Sequence, residues 1–550
     1  MMKRIVAVLV ALMLTVCVAL SAFAEEADPP AGGITPYAYY AADPLPRIDI
    51  LTEEGKALDD SSLVIPGKYK GFGNIPEYDY VNAVISVSDC EGYELDGAEG
   101  KVKIRGNFTA SYPKKPIRIK FTEKQPMCGL NGGAALKNWV LLAEYTDASL
   151  LRNSAALYIA NSLYSSSGYY ASDFRNVEVY LNGEYNGVYV LCEQQEVNKA
   201  RVNLPEPENP KKHEGETLTE EESAALKDGR TGYLIEYDGY YTNEDPADTF
   251  TIRYDWVTRP NGQTFLPASE ANDPMEEKET DSGSGSDGAS AGSRGDSFGR
   301  GGIGTTRTTG FTIKSDFYYP EQNEFIRRTV QTVWDVLYDA VYTDHSDLSA
   351  HPYYTMDEYG NRVAAPAFTT AYEAVASVVD IGSLVDMYIL QEIVQDTDLD
   401  WSSFYFSIDM SPEGNRLLTY TAPWDFDNGF GLNQDNTALF AMNFDNPWFV
   451  LFWGQDWFWQ RVNDRFDEAA EAGVFTGVLE MLDTVARVNE AAYERNRERW
   501  TEDNAGSGGS GGSGGSAAGQ TQAQAEQSLH TWLETKLQNL DRLINEKAGK

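Results

Sequence analysis

Alternating apolar and polar residues predict β-strands through most of residues 46–245. The segments VKIR at 102–105, IRIKF at 117–121 and VEVYL at 177–181 each place their apolar side chains on one face, as strands with one buried face do. Asn182-Gly183 directly follows the third segment, and this dipeptide is a strong signal for a tight hairpin turn. The first half of the chain is therefore predicted to be rich in antiparallel strands.

Apolar residues spaced three or four positions apart predict helices in the second half of the chain. We predict these helices over residues 321–342, 383–396, 456–471, 474–500 and 525–546. The first half has one such segment, at 148–164, and the second half has one predicted strand pair, at 404–408 and 417–421. The pattern indicates an α+β fold in which a strand-rich N-terminal lobe and a helical C-terminal lobe flank a cleft.

The N-terminus has the pattern of a secretory signal peptide. Lys3 and Arg4 precede an apolar run over residues 5–18, and Ala22-Phe23-Ala24 is a small-x-small cleavage signal. We expect cleavage after Ala24 and export of the mature chain, either released or held at the extracellular surface. No later run reaches the roughly 18 apolar residues that a membrane-spanning helix needs, so no transmembrane segment is expected in the mature chain.

Two tracts of low complexity divide the rest of the chain. Residues 276–303 are rich in Gly, Ser and acidic residues, and residues 506–515 consist of Gly and Ser alone, so we expect a flexible insert and a linker. The expected organisation is a signal peptide at 1–24, a leader at 25–45, the N-terminal lobe at 46–275, the insert at 276–310, the C-terminal lobe at 311–503, the linker at 504–524 and a C-terminal helix at 525–550.

The charge balance excludes one class of partner. The chain has 84 Asp and Glu residues against 44 Lys and Arg residues, a formal net charge of −40. Such an excess of negative charge repels nucleic-acid phosphates, so a nucleic-acid partner is not expected. A cluster of basic residues in so acidic a chain therefore needs an explanation.

Three cysteines, Cys90, Cys128 and Cys192, remain once the signal peptide is removed. The odd number leaves at least one thiol unpaired and leaves room for one disulfide. The chain has no Cys-x-x-Cys and no Cys/His cluster, which argues against a structural zinc site.

Basic residues cluster on two neighbouring predicted strands. Lys101, Lys103 and Arg105 alternate along the first strand, and Arg118 and Lys120 alternate along the second, so each set shares one face. A basic plane suits a polyphosphate, because Lys and Arg donate charge-assisted hydrogen bonds to phosphate oxygens. A solvated sheet face would carry the same pattern, so alternation alone leaves both interpretations open.

Two acidic segments flank the predicted strand pair. The first, DTDLD at 396–400, follows a predicted helix, and the second, WDFD at 424–427, places its acids among aromatic residues, which is not typical of a solvated face. The hairpin between the segments can bring Asp398 and Asp425 together. Kinases use such a pair, in which one acid positions the acceptor hydroxyl and the other holds Mg²⁺ on the phosphates.

Other chemistries fit the sequence less well. An EF-hand loop needs Gly at its sixth position and Glu at its twelfth, where this chain has Trp401 and Ser407. The four His residues lie in polar or peripheral contexts and offer no good base for a Ser-His-Asp triad. A glycosidase pair of acids would leave the basic strands unexplained. A surface acidic cluster and a calcium-dependent structural domain stay open as alternatives.

Six segments, in order along the chain, resemble blocks of the CotH-like (spore-coat protein H) kinase family. They are RGN at 105–107 with YPKKPIRIK at 112–120, WVLLAEY at 139–145 with LRN at 151–153, LNGEYNGVY at 181–189 with EQ at 193–194, GYLIE at 232–236, QE at 391–392 through Asp398, and WDFD at 424–427. The likeness covers about residues 80–500, with the final helix included. It implies a two-lobed atypical protein-kinase-like fold that uses ATP and Mg²⁺.

Carried over by position, the resemblance also implies a set of site residues. They are Asp398 as the catalytic acid, Asp425 and Asp427 as metal ligands, and Arg105, Arg118 and Lys120 as residues that bind the nucleotide phosphates. Asp396 departs from the family pattern, in which Asn is frequent at this position. The identity of the second metal ligand therefore stays open between Asp396 and Asp427.

The sequence thus predicts a secreted atypical protein kinase that transfers the γ-phosphate of ATP to Ser or Thr of partner proteins. The alternative is a catalytically weak surface or coat-type binding module of the same fold, since export places the protein where ATP is scarce. Binding of nucleotide with Mg²⁺ separates these two hypotheses. Ca²⁺-dependent melting without nucleotide binding would indicate the calcium-dependent domain.

Overall fold

A computed structural model describes residues 40–70, 75–272, 308–396, 398–399, 401–431, 437–440, 445–504 and 521–550. The predicted signal peptide, most of the leader, the Gly/Ser tract of the insert and that of the linker lie outside these residues. None of the helices within these ranges combines the length and the apolar character needed to span a bilayer.

Residues 47–193 form a closed β-barrel. The strands in this range are β1 (Arg47–Thr52), β2 (Val64–Lys70), β3 (Ile75–Tyr78), β4 (Val81–Ser88), β5 (Leu95–Ile104), β6 (Ile117–Gln125), β7 (Leu136–Leu142), β8 (Phe174–Leu181) and β9 (Glu184–Glu193). Seven of them close the barrel in the order β1-β4-β5-β6-β7-β9-β8, with β1 and β8 parallel, while β2 and β3 pair separately.

Alternation along the barrel strands sets the inside of the barrel. Val102, Ile117 and Ile119 point inward and are fully buried, together with Trp139, as the apolar pattern predicts. The predicted turn at Asn182-Gly183 is confirmed, since both residues have positive φ, at 53° and 85°, as a tight hairpin between β8 and β9 requires.

A second sheet combines strands from both sides of the Gly/Ser insert. The remaining strands are β10 (Gly232–Asp238), β11 (Thr249–Phe250), β12 (Val257–Thr258), β13 (Thr264–Phe265), β14 (Gly310–Ile313), β15 (Tyr354–Met356), β16 (Arg362–Ala364), β17 (Phe404–Asp409) and β18 (Thr419–Thr421). Five of them form a sheet in the order β11-β14-β10-β17-β18. The antiparallel pair β17–β18 confirms the strand pair predicted between the two acidic segments.

Helices surround this second sheet. They are α1 (Arg152–Ser167), α2 (Glu220–Leu226), α3 (Pro320–Tyr342), α4 (Ala371–Ala376), α5 (Ile381–Val394), α6 (Pro447–Val450), α7 (Asp456–Glu471), α8 (Val474–Val488), α9 (Glu490–Asn504) and α10 (Gln522–Lys547), besides one helical turn at Leu130–Gly133. The helices predicted at 321–342, 383–396, 456–471 and 525–546 match α3, α5, α7 and α10 closely. The mixture of sheets and helices confirms the predicted α+β class.

Two helix predictions need correction. Helix α1 begins at Arg152 rather than at 148, because Leu150 has a positive φ of 60° and the Asp147 carboxylate accepts hydrogen bonds from the backbone N–H groups of Leu151 and Arg152, both at 2.8 Å, which fixes the start of the helix. The single helix predicted over 474–500 is two helices, α8 and α9, which meet at the buried Asn489.

Candidate active site

A cleft lies where the ends of β5 and β7, the start of α1 and the loop after β18 converge. Six of its lining side chains are charged or carry an amide, and they are Arg105, Lys114, Glu144, Asn153, Asp425 and Asp427. They come from three separate parts of the sequence, residues 105–114, 144–153 and 425–427. The structure therefore brings one predicted phosphate-binding residue and both predicted metal ligands to one place.

The loop after β18 holds Asp425 in a strained backbone conformation. Asp425 has a φ of 70°, in the left-handed region that non-glycine residues seldom occupy. Its Oδ2 accepts a hydrogen bond of 2.9 Å from the Ser403 hydroxyl, and the Ser403 backbone N–H donates to Glu236 Oε1 at 2.9 Å. Strain of this kind persists where neighbouring groups fix the residue, and it is frequent at functional sites.

The predicted catalytic acid lies beside the same loop. Asp398 follows α5, and its Oδ2 accepts a hydrogen bond of 2.9 Å from the Asn428 amide. Its backbone N–H donates to Asp396 Oδ1 at 3.1 Å. The hairpin β17–β18 thus brings the two acidic segments together, as the sequence predicts, while Thr397 and Asp400 lie outside the described residues.

Negative charge is crowded between these two segments. Burial raises the pKa of Asp427 well above its usual range, and the charges of Asp425, Asp398 and Glu144 raise it further. Burial also raises the pKa of Asp396 well above its usual range, and the charges of Asp398, Asp425 and Asp427 raise it further. A cation bound among these carboxylates would relieve the repulsion.

The donor set has the chemistry that Mg²⁺ prefers. Within the part of the chain that the structure describes, no group of three or more His, Cys, Asp or Glu side chains is arranged to hold a metal ion. Mg²⁺, however, commonly takes one or two carboxylates and completes its shell with water and substrate phosphates. Asp425 and Asp427 supply such carboxylates, both in the lining of the cleft.

Arg105 forms the basic wall of the cleft. It directly follows β5, and its guanidinium carbon lies 5.3 Å from the ring centroid of Trp424, next to Asp425. Gly106 turns the chain away at a φ of 87°, and a β-carbon there would overlap with the Thr109 hydroxyl. Glycine is therefore required at this turn, which directs Arg105 into the cleft.

The other predicted phosphate-binding residues lie along the outer face of the barrel. In the β5–β6 register, Lys103 is opposite Arg118 and Lys101 is opposite Lys120, so the predicted basic face of two adjacent strands is confirmed. Arg118 is partly buried and Lys120 is exposed. Neither is among the residues that line the cleft, so their contact with phosphate stays a prediction.

Three cleft residues were not assigned a role from the sequence. Asn153 donates to Glu144 Oε1 at 2.8 Å through its Nδ2 and accepts from the Phe426 backbone N–H at 3.0 Å through its Oδ1. Burial raises the pKa of Glu144 to about 8. The sequence signal for Glu144 and Asn153 is their place in the WVLLAEY and LRN segments, and for Lys114 its place in the YPKKPIRIK segment.

Lys114, the third of these residues, is a buried lysine in the cleft wall. It is 1% exposed, and its ammonium group donates to the Val188 carbonyl and to Asn496 Oδ1, the latter at 2.8 Å. Burial lowers the pKa of Lys114 to about 7, although the negative charge of Glu144 opposes this shift. Lys114 therefore ties the cleft to β9 and to α9.

The sequence matches one known protein family. The sequence model of the family described as CotH kinase protein matches residues 102–264 and 307–540. The chain belongs to this family, and membership indicates a kinase-like or coat-associated protein. The match omits residues 265–306, which include the Gly/Ser tract of the insert. No curated protein matches the chain.

Proposed function

We propose that this protein is a secreted, two-lobed atypical protein kinase that transfers the γ-phosphate of ATP to Ser or Thr of partner proteins. The observation that carries the proposal is the convergence of Arg105, Asp425 and Asp427 in one cleft, with Asp398 joined to the same loop through Asn428. Basic and acidic groups that face each other in one cleft suit a nucleotide polyphosphate and its metal ion.

The arrangement of the elements supports two lobes. The barrel has its own apolar core, which includes Ile48, Val102 and Trp139. The second sheet shares another core with the helices, and this core also contains residues of β7, β8 and β9 such as Val140 and Val190. The cleft lies where the end of the barrel meets the loop after β18. Secretion rests on the signal-peptide pattern before Ala24.

In the proposed reaction, Asp398 receives the proton of the acceptor hydroxyl. The acceptor oxygen forms a bond to the γ-phosphorus while the bond from that phosphorus to the β–γ bridging oxygen breaks, and ADP leaves. The hydrogen bond from Asn428 to Asp398 Oδ2, at 2.9 Å, orients the carboxylate. Orientation of this kind contributes to the rate because the reacting groups start close to their productive geometry.

Asp425 and Asp427 would hold Mg²⁺, with Ser403 orienting the former. A bound Mg²⁺ supplies positive charge that offsets the negative charge of the phosphate oxygens. Arg105 would bind a phosphate from the opposite wall, and Arg118 and Lys120 would extend the positive charge along the barrel. The position of Asp396 behind Asp398, only 2% exposed, favours Asp427 over Asp396 as the second metal ligand.

Calorimetric titration with ATP tests the proposal at its first step. We expect binding with Mg²⁺ present, and we expect Arg105→Ala to weaken it by about tenfold or more, since a hydrogen bond to a charged group contributes about 1.5–3 kcal/mol. Absence of nucleotide binding would favour a coat-type binding module. A rise in melting temperature with Ca²⁺, in the absence of nucleotide binding, would favour a calcium-dependent domain.

A further inference from the structure

Helix α10 packs an apolar stripe onto the rest of the protein. It contacts α5, α7, α8 and α9, and its buried apolar residues are Ala525, Leu529, Leu533, Leu537, Leu540 and Ile544. One charged residue, Lys536, lies within this buried stripe and is 0% exposed. If α10 only packed against the core, an apolar side chain at position 536 would stabilise the protein at least as well as a buried lysine.

Lys536 pairs with a buried carboxylate on α5. Its Nζ lies 3.2 Å from Oε1 of Glu392, whose side chain is 1% exposed. Replacement of a buried ion pair by apolar residues is often neutral or stabilising, so stability alone does not explain this pair. The pair is better explained by what the Glu392 carboxylate holds.

The second oxygen of Glu392 holds the backbone that follows the loop with Asp425 and Asp427. Oε2 accepts a hydrogen bond from the backbone N–H of Phe440 at 2.9 Å and another from the Tyr388 hydroxyl at 2.9 Å. Lys536 therefore fixes the carboxylate that anchors Phe440.

Trp532 makes a second contact with the same part of the chain. Trp532 precedes Lys536 by one turn, so the two side chains lie on one face of α10. Its ring packs against Phe430 with centroids 5.8 Å apart, and a β-carbon at Gly431 would overlap with the indole. The Phe430 backbone N–H donates to the Val394 carbonyl at the end of α5, at 2.6 Å. Helix α10 thus contacts the chain shortly after Asp427 and, through Glu392, at Phe440.

We propose that Glu392 and Trp532 are positioning residues, which hold the backbone after the loop with Asp425 and Asp427 in the arrangement that phosphotransfer requires, while Lys536 of α10 balances the buried charge of Glu392. The inference rests on the proposed kinase function. Glu392 acts on Phe440, and Trp532 acts directly on Phe430 and Gly431. The C-terminal helix is therefore an activating element of the active site, in addition to being part of the core.

Paired substitutions separate this role from simple docking. Lys536→Met with Glu392→Leu removes both charges and the acceptor for the Phe440 N–H. Lys536→Met with Glu392→Gln removes both charges but keeps an oxygen for that N–H. Neither pair leaves a single buried charge, which would be strongly destabilising. We expect the protein with Glu392→Gln to melt within about 5 °C of wild type, because loss of the whole ion pair is often tolerated. The protein with Glu392→Leu should melt lower, because the Phe440 N–H and the Tyr388 hydroxyl lose their acceptor.

Activity and backbone protection should then diverge between the two pairs. With Glu392→Leu, kcat for phosphotransfer from labelled ATP should fall by about tenfold or more, because small misplacements near an active site are costly. With Glu392→Gln, most of kcat should return, and KM for ATP should stay within about threefold in both proteins, since ground-state nucleotide binding is not the interaction removed. Leu540→Ala, two turns from Trp532, is the control that lowers the melting temperature and leaves kcat unchanged.

Hydrogen exchange gives a readout that does not require activity. Exchange of the peptide containing Phe440 should accelerate by about tenfold with Glu392→Leu and stay close to wild type with Glu392→Gln. If wild-type protein transfers no phosphate, the kinase proposal fails, and this exchange difference still decides whether the carboxylate positions Phe440. Equal protection of Phe440 in both paired variants, or equal kcat in both, would overturn the positioning role.

Discussion

The hydroxyl of Ser403 donates a hydrogen bond of 2.9 Å to Oδ2 of Asp425. Ser403 is itself fixed, because its backbone N–H donates to Glu236, whose other oxygen pairs with Lys314 at 2.8 Å. The proposed metal ligand is therefore oriented through Ser403 and Glu236. Such outer contacts hold a ligand in the geometry that the metal requires.

Ser403→Ala should weaken Mg²⁺-dependent ATP binding by about tenfold, because loss of a group that orients a metal ligand typically costs 10–100-fold in affinity. Calorimetric titration with ATP at fixed Mg²⁺ measures the effect. Ser402→Ala, in the same turn, is the matched control. Equal affinity in the two variants would show that the Ser403 hydroxyl does not orient Asp425.

Asn153→Ala should destabilise the protein by about 1–3 kcal/mol, because it leaves the Phe426 N–H and the Glu144 carboxyl buried without their hydrogen-bond partner. It should also lower ATP turnover, since Phe426 lies between the two proposed metal ligands. Asn161→Ala is the control on the same helix, because Asn161 hydrogen-bonds the carbonyls of Leu157 and Ser172. Urea unfolding and turnover should separate them: both lose stability, and only Asn153→Ala loses turnover.

Lys120→Ala tests the basic face of the barrel. Removal of a charge-assisted hydrogen bond to phosphate, worth about 1.5–3 kcal/mol, should reduce ATP affinity by about tenfold or more. Lys124→Ala removes an exposed lysine further along the same strand and should leave affinity unchanged. Equal affinities of the two variants and wild type, measured by calorimetry, would mean that the face only contacts solvent.

The pKa of Glu144 predicts a pH dependence of stability. Its pKa in the folded protein is about 8, against an ordinary value of 4.5, so the folded state keeps a proton that the unfolded chain releases as pH rises through this window. The contribution of Glu144 to stability therefore falls as pH rises. Lys114, with a pKa of about 7, acts in the opposite direction at higher pH, and Asp238, whose pKa burial raises to about 7, acts in the same direction as Glu144. A variant of Glu144 is therefore needed to isolate its contribution.

Glu144→Gln removes this titration. The free energy of unfolding of the variant, relative to wild type, should increase by more than about 1 kcal/mol from pH 5 to pH 7, since each pKa unit corresponds to about 1.4 kcal/mol. Denaturant unfolding at several pH values, without nucleotide or metal, measures the difference. A difference that does not change with pH would show that Glu144 is not held protonated.

The basic face and the acidic loops were predictable because they depend on local rules. Alternation alone decides that Lys103 and Arg105 share a face, and a hairpin between two acidic segments is enough to bring Asp398 near Asp425. The contact of Asn153 with Phe426 was not predictable in this way, because it joins positions 273 residues apart.

The start of α1 shows the same limit on a smaller scale. Apolar spacing places a helix there, but the Asp147 carboxylate that accepts the first N–H groups decides where it begins. Helix α10 was predictable from its apolar stripe, yet the buried pair of Lys536 and Glu392 was not, because its two members lie 144 residues apart. Local pattern thus predicts elements and faces, and tertiary contacts decide which polar residues meet.

The central claim is tested most directly by phosphate transfer from ATP labelled at the γ-position. Wild-type protein, Asp398→Ala and Asp425→Ala are incubated with labelled ATP, Mg²⁺ and dephosphorylated casein, and phosphorylated residues are identified by mass spectrometry. We predict phosphoserine or phosphothreonine on casein or on the protein itself with wild type, and its loss in both variants while both remain folded. Asp398→Ala should still bind ATP, because this acid acts on the acceptor. Phosphate transfer that is unchanged in either variant, or no transfer by wild-type protein that binds Mg²⁺ and ATP, would contradict the account.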